Sequence, residues 1–416
     1  MTANLFFFLQ CSLKISIKNQ YQCEFKQYVY EYMLIVLPMI LVHTVASNAI
    51  ETLIFIDSLY LMYNLLKNFN KPVVSRIVQS KNNFRSKHIL SVTCIRGLTY
   101  LITVFSILAV DFKLFPRFLA KTERFGYSLM DTGVGLFVLM SGLVHRDVSK
   151  ENYRLVIVKN FKFITILVIL GVARFVSVRQ LDYQEHVTEY GVHWNFFFTL
   201  AACKFISSIA LILFQKPLVL SIFTLILHEL LLASGLQQWV FSDTPRGTFI
   251  DANREGIASS LGYVSLYFFA VHLKRELTDR SILRYKLLIR LTLGSISLLF
   301  LSYFVNIAIP TSRTLANAGY CLYLSFIITS ILTIMYILEV LSQDQQTIMF
   351  EVPLILSNIN KNGLVYFLVA NLTTGAINMS MQTLLVPAVA TFVILNLYMF
   401  FTLSIIVYLN KKGISL

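Results

Sequence analysis

The feature that most constrains this chain is the recurrence of long apolar runs, joined by short polar segments, from about residue 30 to the C-terminus. Runs of roughly 17–25 apolar residues match a bilayer, where only a helix or a closed barrel satisfies the backbone hydrogen bonds. Charged residues make up 13% of the sequence, against roughly 25% in an average soluble domain. These patterns predict an all-α polytopic membrane protein with no soluble domain. We count about twelve spans, at 30–47, 50–66, 88–110, 127–144, 163–178, 194–214, 217–235, 256–273, 287–308, 317–340, 363–380 and 386–409.

The distribution of basic residues predicts the orientation of these spans. The chain has 35 lysines and arginines against 21 acidic residues, and the basic excess lies in loops that follow even-numbered spans. Short loops rich in lysine and arginine stay in the cytoplasm, so loops after odd-numbered spans are predicted on the opposite side. Three of those loops carry unusual polar sequence, at 111–124, 182–193 and 243–255. Because the basic residues flank spans instead of forming one basic face, no nucleic-acid partner is predicted.

The loop at 109–124 contains the first candidate catalytic pair. Asp111 stands where the third span ends, and an acid at an apolar boundary can serve as a general base. Lys121 follows ten residues later and can stabilise a developing oxyanion. The alternative is an interfacial loop without a catalytic role, whose charged side chains extend into the aqueous phase.

The loop at 182–193 is the densest polar cluster in the chain and runs directly into an apolar helix. His186, with Glu185 or Glu189, has the composition of a base and the group that orients it. His193 and Trp194 equally suit an interfacial belt of amphipathic rings. Catalytic and structural interpretations both remain open here, and zinc is unsupported because no His-x-x-x-His spacing occurs.

Two further segments carry polar groups at helix entries or inside spans. Asn253 and Arg254 precede a helix of small residues, where the guanidinium could bind a phosphate or the segment could simply cap the helix. Asn371 and Asn378 fall in a predicted span, where polar side chains line a cavity or bond to neighbouring helices. The ionisable residues placed inside other spans are Arg96, Asp131, Arg174, Lys204, Glu229 and Arg290.

Several common catalytic signatures are absent from the sequence. It contains no Gly-x-Ser-x-Gly elbow, no Walker loop and no dinucleotide fingerprint. Its five cysteines are scattered without metal-ligand spacing. We therefore predict neither a metal nor a bound cofactor.

Five stretches of the chain together resemble the GPI-anchor inositol acyltransferases, the family of phosphatidylinositol-glycan biosynthesis class W. They lie at 109–123, 129–135, 183–199, 251–257 and 367–378, in the family's order. The most specific reads Tyr-Gln-Glu-His-Val-Thr-Glu-Tyr-Gly-Val-His-Trp-Asn from Tyr183. The resemblance divides the chain into a divergent segment at 1–26 and a multi-span acyltransferase domain at 27–416. The family is expected to have thirteen spans, one more than we count.

The resemblance implies a multi-pass enzyme of the endoplasmic reticulum membrane, with its motif-bearing loops in the lumen. Such an enzyme moves a fatty acyl group, typically palmitoyl, from acyl-CoA to the inositol 2-hydroxyl of glucosaminyl-phosphatidylinositol. It also implies that Asp111 and Lys121 are catalytic. We predict Asp111 as the general base and Lys121 as the cation facing the thioester oxygen, with the opposite protonation roles left open. The predicted substrate-binding residues are His186, His193, Trp194, Asn195, Asn253, Arg254, Asn371 and Asn378.

The predicted topology adds a constraint on the donor. Asp111 and Lys121 fall on the side opposite the cytoplasm, where acyl-CoA is expected, so the donor has to reach them through the helix bundle. Arg96, Lys204 and Arg290 are candidates for a basic path to the CoA phosphates. A lipid or solute transporter and a non-catalytic homologue are the alternative functions, although no inverted repeat is visible in the sequence.

Overall fold

The computed structural model describes residues 24–53, 55, 56, 59, 63, 90–147, 153–180, 188–279, 281–343 and 352–414. Throughout this part of the chain the backbone forms helices joined by turns, with no strand. We number the longer helices in chain order. They are α1 (Glu24–Glu31 and Leu37–Val42, joined by a π-turn at Tyr32–Val36), α2 (Leu90–Ala109), α3 (Thr132–Leu143), α4 (Tyr153–Gln180), α5 (Phe196–Leu213), α6 (Pro217–Leu231, a π-turn at Leu232–Leu236, and Gln237–Val240), α7 (Arg254–Thr278), α8 (Arg284–Ala308), α9 (Ala318–Gln343), α10 (Leu354–Lys361), α11 (Gly363–Ser380) and α12 (Ala388–Lys411).

Nine helices of the described residues are long and apolar enough to cross a membrane: α1, α2, α4, α5, α6, α7, α8, α9 and α12. The prediction of an all-α polytopic membrane protein is therefore confirmed. The predicted start at residue 127 was wrong, because residues 129–131 form a turn and α3, which begins at Thr132, is only 12 residues long. The eight-residue helix α10 was not predicted. Most of the predicted span at 50–66 lies outside the described residues.

The chain divides into two compact units. The first unit comprises Met1–Ala120, Arg280–Thr292 and Ser330–Leu416, and the second comprises Lys121–Asp279 and Leu293–Thr329. In the second unit α7 lies at the centre, packed against α3, α5 and α6. In its most apolar 18-residue stretch 78% of the residues are buried. Small residues along α7 allow this close approach, since a Cβ at Gly262 would lie 2.1 Å from the Ala316 carbonyl oxygen. On α3, a Cβ at Gly142 would lie 2.7 Å from the Tyr267 carbonyl oxygen, so only glycine fits there.

In the first unit α2 packs against α10, α11 and α12, and α1 packs against α10 and α12. A buried carboxylate joins two of these helices. Glu31 of α1 accepts hydrogen bonds from the backbone N–H groups of Leu354 and Ile355, each at 2.9 Å. These N–H groups have no partner within α10, so Glu31 satisfies the first turn of that helix and its positive dipole end.

Candidate active site

Asp111 stands in the first unit, just beyond the end of α2. The chain leaves the helix through tight turns, in which the Asp111 N–H donates to the Leu108 carbonyl at 3.2 Å. Phe112 and Phe115 on either side of the next turn are 0% and 1% exposed, so they anchor the segment in the protein. This anchoring leaves the Asp111 carboxylate half-buried at the end of an apolar helix, as its sequence position predicted.

Asn378 brings α11 to this carboxylate. Its Nδ2 donates to Asp111 Oδ2 at 2.8 Å, while its Oδ1 is buried and accepts no hydrogen bond. Asn371, two turns earlier on α11, donates instead to the Phe367 carbonyl of its own helix at 2.7 Å. The structure therefore brings Asn378, and not Asn371, to the candidate base. This buried amide oxygen, which has no donor and lies next to a carboxylate, can accept a hydrogen bond from a hydroxyl group.

Lys121 opens the second unit and forms an ion pair with Glu189. Its Nζ lies 2.7 Å from Oε1 and 2.8 Å from Oε2 of that carboxylate. The Lys121 side chain is 41% exposed and the Glu189 side chain 24%. Burial alone would raise the pKa of Glu189, but the charges of Lys121, Arg313 and Arg174 together hold that pKa below its ordinary value. Glu189 is therefore ionised at neutral pH.

A second ion pair, fully buried, lies in the same unit. Arg313 Nε donates to Asp131 Oδ1 at 3.0 Å, and these side chains are 4% and 1% exposed. Asp131 also accepts from the N–H and hydroxyl of Thr122, the residue after Lys121, and from the Ser128 N–H. Asp131 N–H donates back to Ser128 Oγ, a reciprocal arrangement that starts α3. Sequence reasoning placed Asp131 inside a span and gave Arg313 no role in the site.

The loop that carries Glu189 is held against the start of α7. Tyr190 O accepts from the Gly256 N–H at 3.0 Å, and the Val192 N–H donates to Ala252 O at 2.8 Å. Gly191 between them has φ of 113° and no room for a Cβ, since that atom would lie 2.5 Å from Asn253 Cα. The conformation requires glycine at this position.

Asn253 is the main anchor of this loop. Its Oδ1 accepts from the His193 N–H at 2.8 Å, and its Nδ2 donates to Phe249 O at 2.8 Å. The His193 ring stacks on Phe249 and meets Phe175 edge-on, and its Nδ1 is buried without a hydrogen bond. The structure thus brings the predicted residues Asn253 and His193 together.

Trp194 and Asn195 make contacts that begin α5. Asn195 Oδ1 accepts from the N–H groups of Phe197 at 3.0 Å and Phe198 at 3.3 Å, and its Nδ2 donates to Gly171 O at 2.9 Å. Trp194 Nε1 donates to Thr199 Oγ1 at 2.9 Å. Its ring covers Gly256, where a Cβ would lie 2.3 Å from it. His186 lies outside the described residues.

The predicted phosphate ligand Arg254 is buried and engaged by the loop before it. Its Nη1 donates to Thr244 Oγ1 at 2.6 Å and to Thr244 O at 3.3 Å, and its Nη2 donates to Ser242 O. Neighbouring Arg246 pairs with Glu255 at 2.5 Å. The guanidinium of Arg254 therefore stabilises the loop at 242–244 in this structure.

A cavity of about 240 Å³ lies at the C-terminal ends of α3, α5 and α7, whereas the contacts described above lie at their N-terminal ends. It is lined by His145, Asp147, Ser208, Leu211, Gln215 and Arg275. Behind its wall His145 Nδ1 and Tyr267 OH are 3.0 Å apart, and Lys204 Nζ donates to the same hydroxyl at 3.5 Å. Asp147 pairs with Lys274 and Arg275. Burial and the positive charge of Lys204 lower the pKa of His145 to about 4. Lys204 is 8% exposed and faces the Phe163 and Tyr267 rings.

Known proteins resemble this chain along most of its length. The GWT1 family model matches residues 1–409. Human glucosaminyl-phosphatidylinositol-acyltransferase PIGW is 30% identical over 473 residues, covering 98% of this chain and 94% of the relative. The mouse protein of the same name is 29% identical over 465 residues, covering 95% and 91%. GPI-anchored wall transfer protein 1 of Schizosaccharomyces pombe is 36% identical over 364 residues, covering 83% and 77%.

Proposed function

Since the chain belongs to the GWT1 family, we propose that it transfers a fatty acyl group to the inositol 2-hydroxyl of glucosaminyl-phosphatidylinositol. The names of the human and mouse relatives describe an acyltransferase acting on this lipid, which favours an enzyme over a transporter. The chain is a multi-pass membrane protein, which places it in the same bilayer as a lipid substrate. Its assignment to the endoplasmic reticulum, with the motif-bearing loops in the lumen, is part of the proposal.

The hydrogen bond between Asn378 and Asp111 is the observation that carries the catalytic assignment. It fixes one carboxylate oxygen of Asp111 and places a buried, unused amide oxygen beside it. An inositol hydroxyl could donate to the carboxylate, while a neighbouring hydroxyl donates to Asn378 Oδ1. A positioned general base of this kind contributes roughly 10²–10⁴-fold to a rate.

The proposed reaction balances as a direct acyl transfer. Asp111 accepts the proton of the inositol hydroxyl, and the hydroxyl oxygen forms a bond to the thioester carbonyl carbon. The carbon–sulfur bond then breaks, and the departing thiolate takes up a proton. Lys121 supplies positive charge to the carbonyl oxygen as negative charge develops there, a type of contact worth roughly 10²–10³-fold.

Acyl-CoA is proposed as the donor on the basis of thioester chemistry and charge. At this end of the second unit Arg275 lines the cavity near His145, where it pairs with Asp147, and Lys204 lies buried behind the wall. A CoA phosphate that binds Arg275 would take the place of Asp147. In the first unit, Arg96 on α2 is half-buried and Arg290 on α8 is exposed. Both remain candidates for binding the phosphates of the donor.

The function is tested by supplying glucosaminyl-phosphatidylinositol and isotopically labelled palmitoyl-CoA to membranes that contain the protein. We expect a product heavier by one palmitoyl group, which fragmentation in the mass spectrometer places on inositol. Labelled free palmitate without CoA is the donor control and should give no product. A well-expressed protein that forms no acylated lipid would contradict the proposal, and a product from free palmitate would contradict the thioester donor.

A further inference from the structure

The Lys121 ammonium is held at both oxygens of one carboxylate. Glu189 accepts from it at 2.7 and 2.8 Å, although 68 residues separate the two in the chain. Glu189 itself follows Thr188 in a loop whose next residues are held by hydrogen bonds, Tyr190 to Gly256 of α7 and Val192 to Ala252 just before α7. The backbone next to Glu189 is therefore fixed, and this fixes the direction from which its carboxylate contacts Lys121.

The backbone beside Lys121 is fixed separately. The Thr122 N–H lies 3.2 Å from each oxygen of Asp131, and the Thr122 hydroxyl donates to Asp131 Oδ2 at 2.9 Å. Asp131 is in turn held by Arg313. Because Asp131 holds the backbone at Thr122, the conformation of this loop does not depend on Glu189. What Glu189 determines is the direction of the ammonium group.

We propose that Glu189 is a positioning residue for acyl transfer, which directs the Lys121 ammonium toward the developing oxyanion. The inference rests on the proposed role of Lys121 in catalysis. An exposed ion pair contributes little to stability, so an ion pair with only a structural role would leave the rate nearly unchanged when broken. A positioning carboxylate instead affects the step in which charge develops, because misdirected donors lose most of their effect.

The test compares Glu189→Gln with Glu123→Gln, an exposed acid two residues beyond Lys121, and with Lys121→Gln. Rates are expressed per molecule of folded protein, measured as the monodisperse fraction in size-exclusion chromatography. We expect Glu189→Gln to lower kcat at least tenfold, with KM for both substrates within about twofold of wild type. Glu123→Gln should keep the wild-type kcat, and Glu189→Asp should recover part of the loss. The double variant Lys121→Gln/Glu189→Gln should be no slower than Lys121→Gln alone.

Two results would overturn this inference without touching the proposed function. One is a Glu189→Gln kcat within twofold of wild type while Lys121→Gln is inactive. The other is a double variant whose losses multiply, which would mean that the two residues act independently. If Lys121→Gln itself keeps the wild-type rate, the role of Lys121 fails and the positioning role of Glu189 fails with it.

Discussion

Neutralising Asp131 gives the sharpest test of how the loop after Lys121 is held. Its carboxylate accepts from Thr122, Ser128 and Arg313, and its side chain is 1% exposed. Asp131→Asn leaves the Arg313 guanidinium, 4% exposed, without its hydrogen-bonded carboxylate, so that only the more distant charge of Glu189 still acts on it. Removing one member of a buried ion pair costs roughly 3–5 kcal/mol, because the other charge stays buried and uncompensated. We expect a clear fall in the thermal unfolding midpoint.

The matched control is Asp147→Asn, which breaks a comparable pair near the surface. Asp147 is 37% exposed and its partners Lys274 and Arg275 are 19% and 32% exposed. Such pairs contribute about 0–1 kcal/mol, so this variant should unfold close to the wild type. The assay heats detergent-purified protein and follows the monodisperse fraction. The double variant Asp131→Asn/Arg313→Gln should recover part of the loss. If Asp131→Asn unfolds no earlier than Asp147→Asn, the reasoning from buried charge is wrong.

Three further predictions follow from particular contacts. The folded-state pKa of His145 is about 4, below roughly 6.5 for an unfolded histidine, so stability should fall as the pH drops from the higher value toward the lower one. His145→Gln should weaken the pH dependence of the unfolding midpoint, measured between pH 7 and pH 5. Lys204→Met should raise KM for palmitoyl-CoA several-fold in steady-state assays and leave KM for the lipid acceptor unchanged; equal effects on both would contradict a donor-side role. Asn378→Ala should lower kcat roughly tenfold, since the base loses its orienting donor, whereas Asn371→Ala, which breaks only a bond within α11, should stay near wild type.

Most of the membrane architecture could be predicted from the sequence, because a bilayer imposes a length and a composition on each span. The failures lie where that constraint is weak. α3 begins late because Ser128 and Asp131 bond to each other in the turn before it. α10 is too short to give an apolar run and packs through one face.

The candidate site could be predicted only in part. Asp111 and Lys121 carry local signals, since one ends a span and the other follows it in a polar loop. Their partners carry none. Asn378 is 267 residues from Asp111, and Arg313 is 182 residues from Asp131. Such pairs depend on how helices pack, and no local pattern records that packing. The same packing places Arg254 against the loop at 242–244, a contact that its helix-entry position did not indicate.

The central claim is that Asp111 is the base for acyl transfer to inositol. It is tested most directly by the rate at which purified Asp111→Asn protein acylates glucosaminyl-phosphatidylinositol with labelled palmitoyl-CoA, with Asp243→Asn in an exposed loop as the control. Asn keeps the shape of the side chain but cannot take the proton, so we predict a loss of roughly 10²–10⁴-fold. Asp243→Asn should match the wild type. A folded Asp111→Asn protein that works at the wild-type rate would contradict the account.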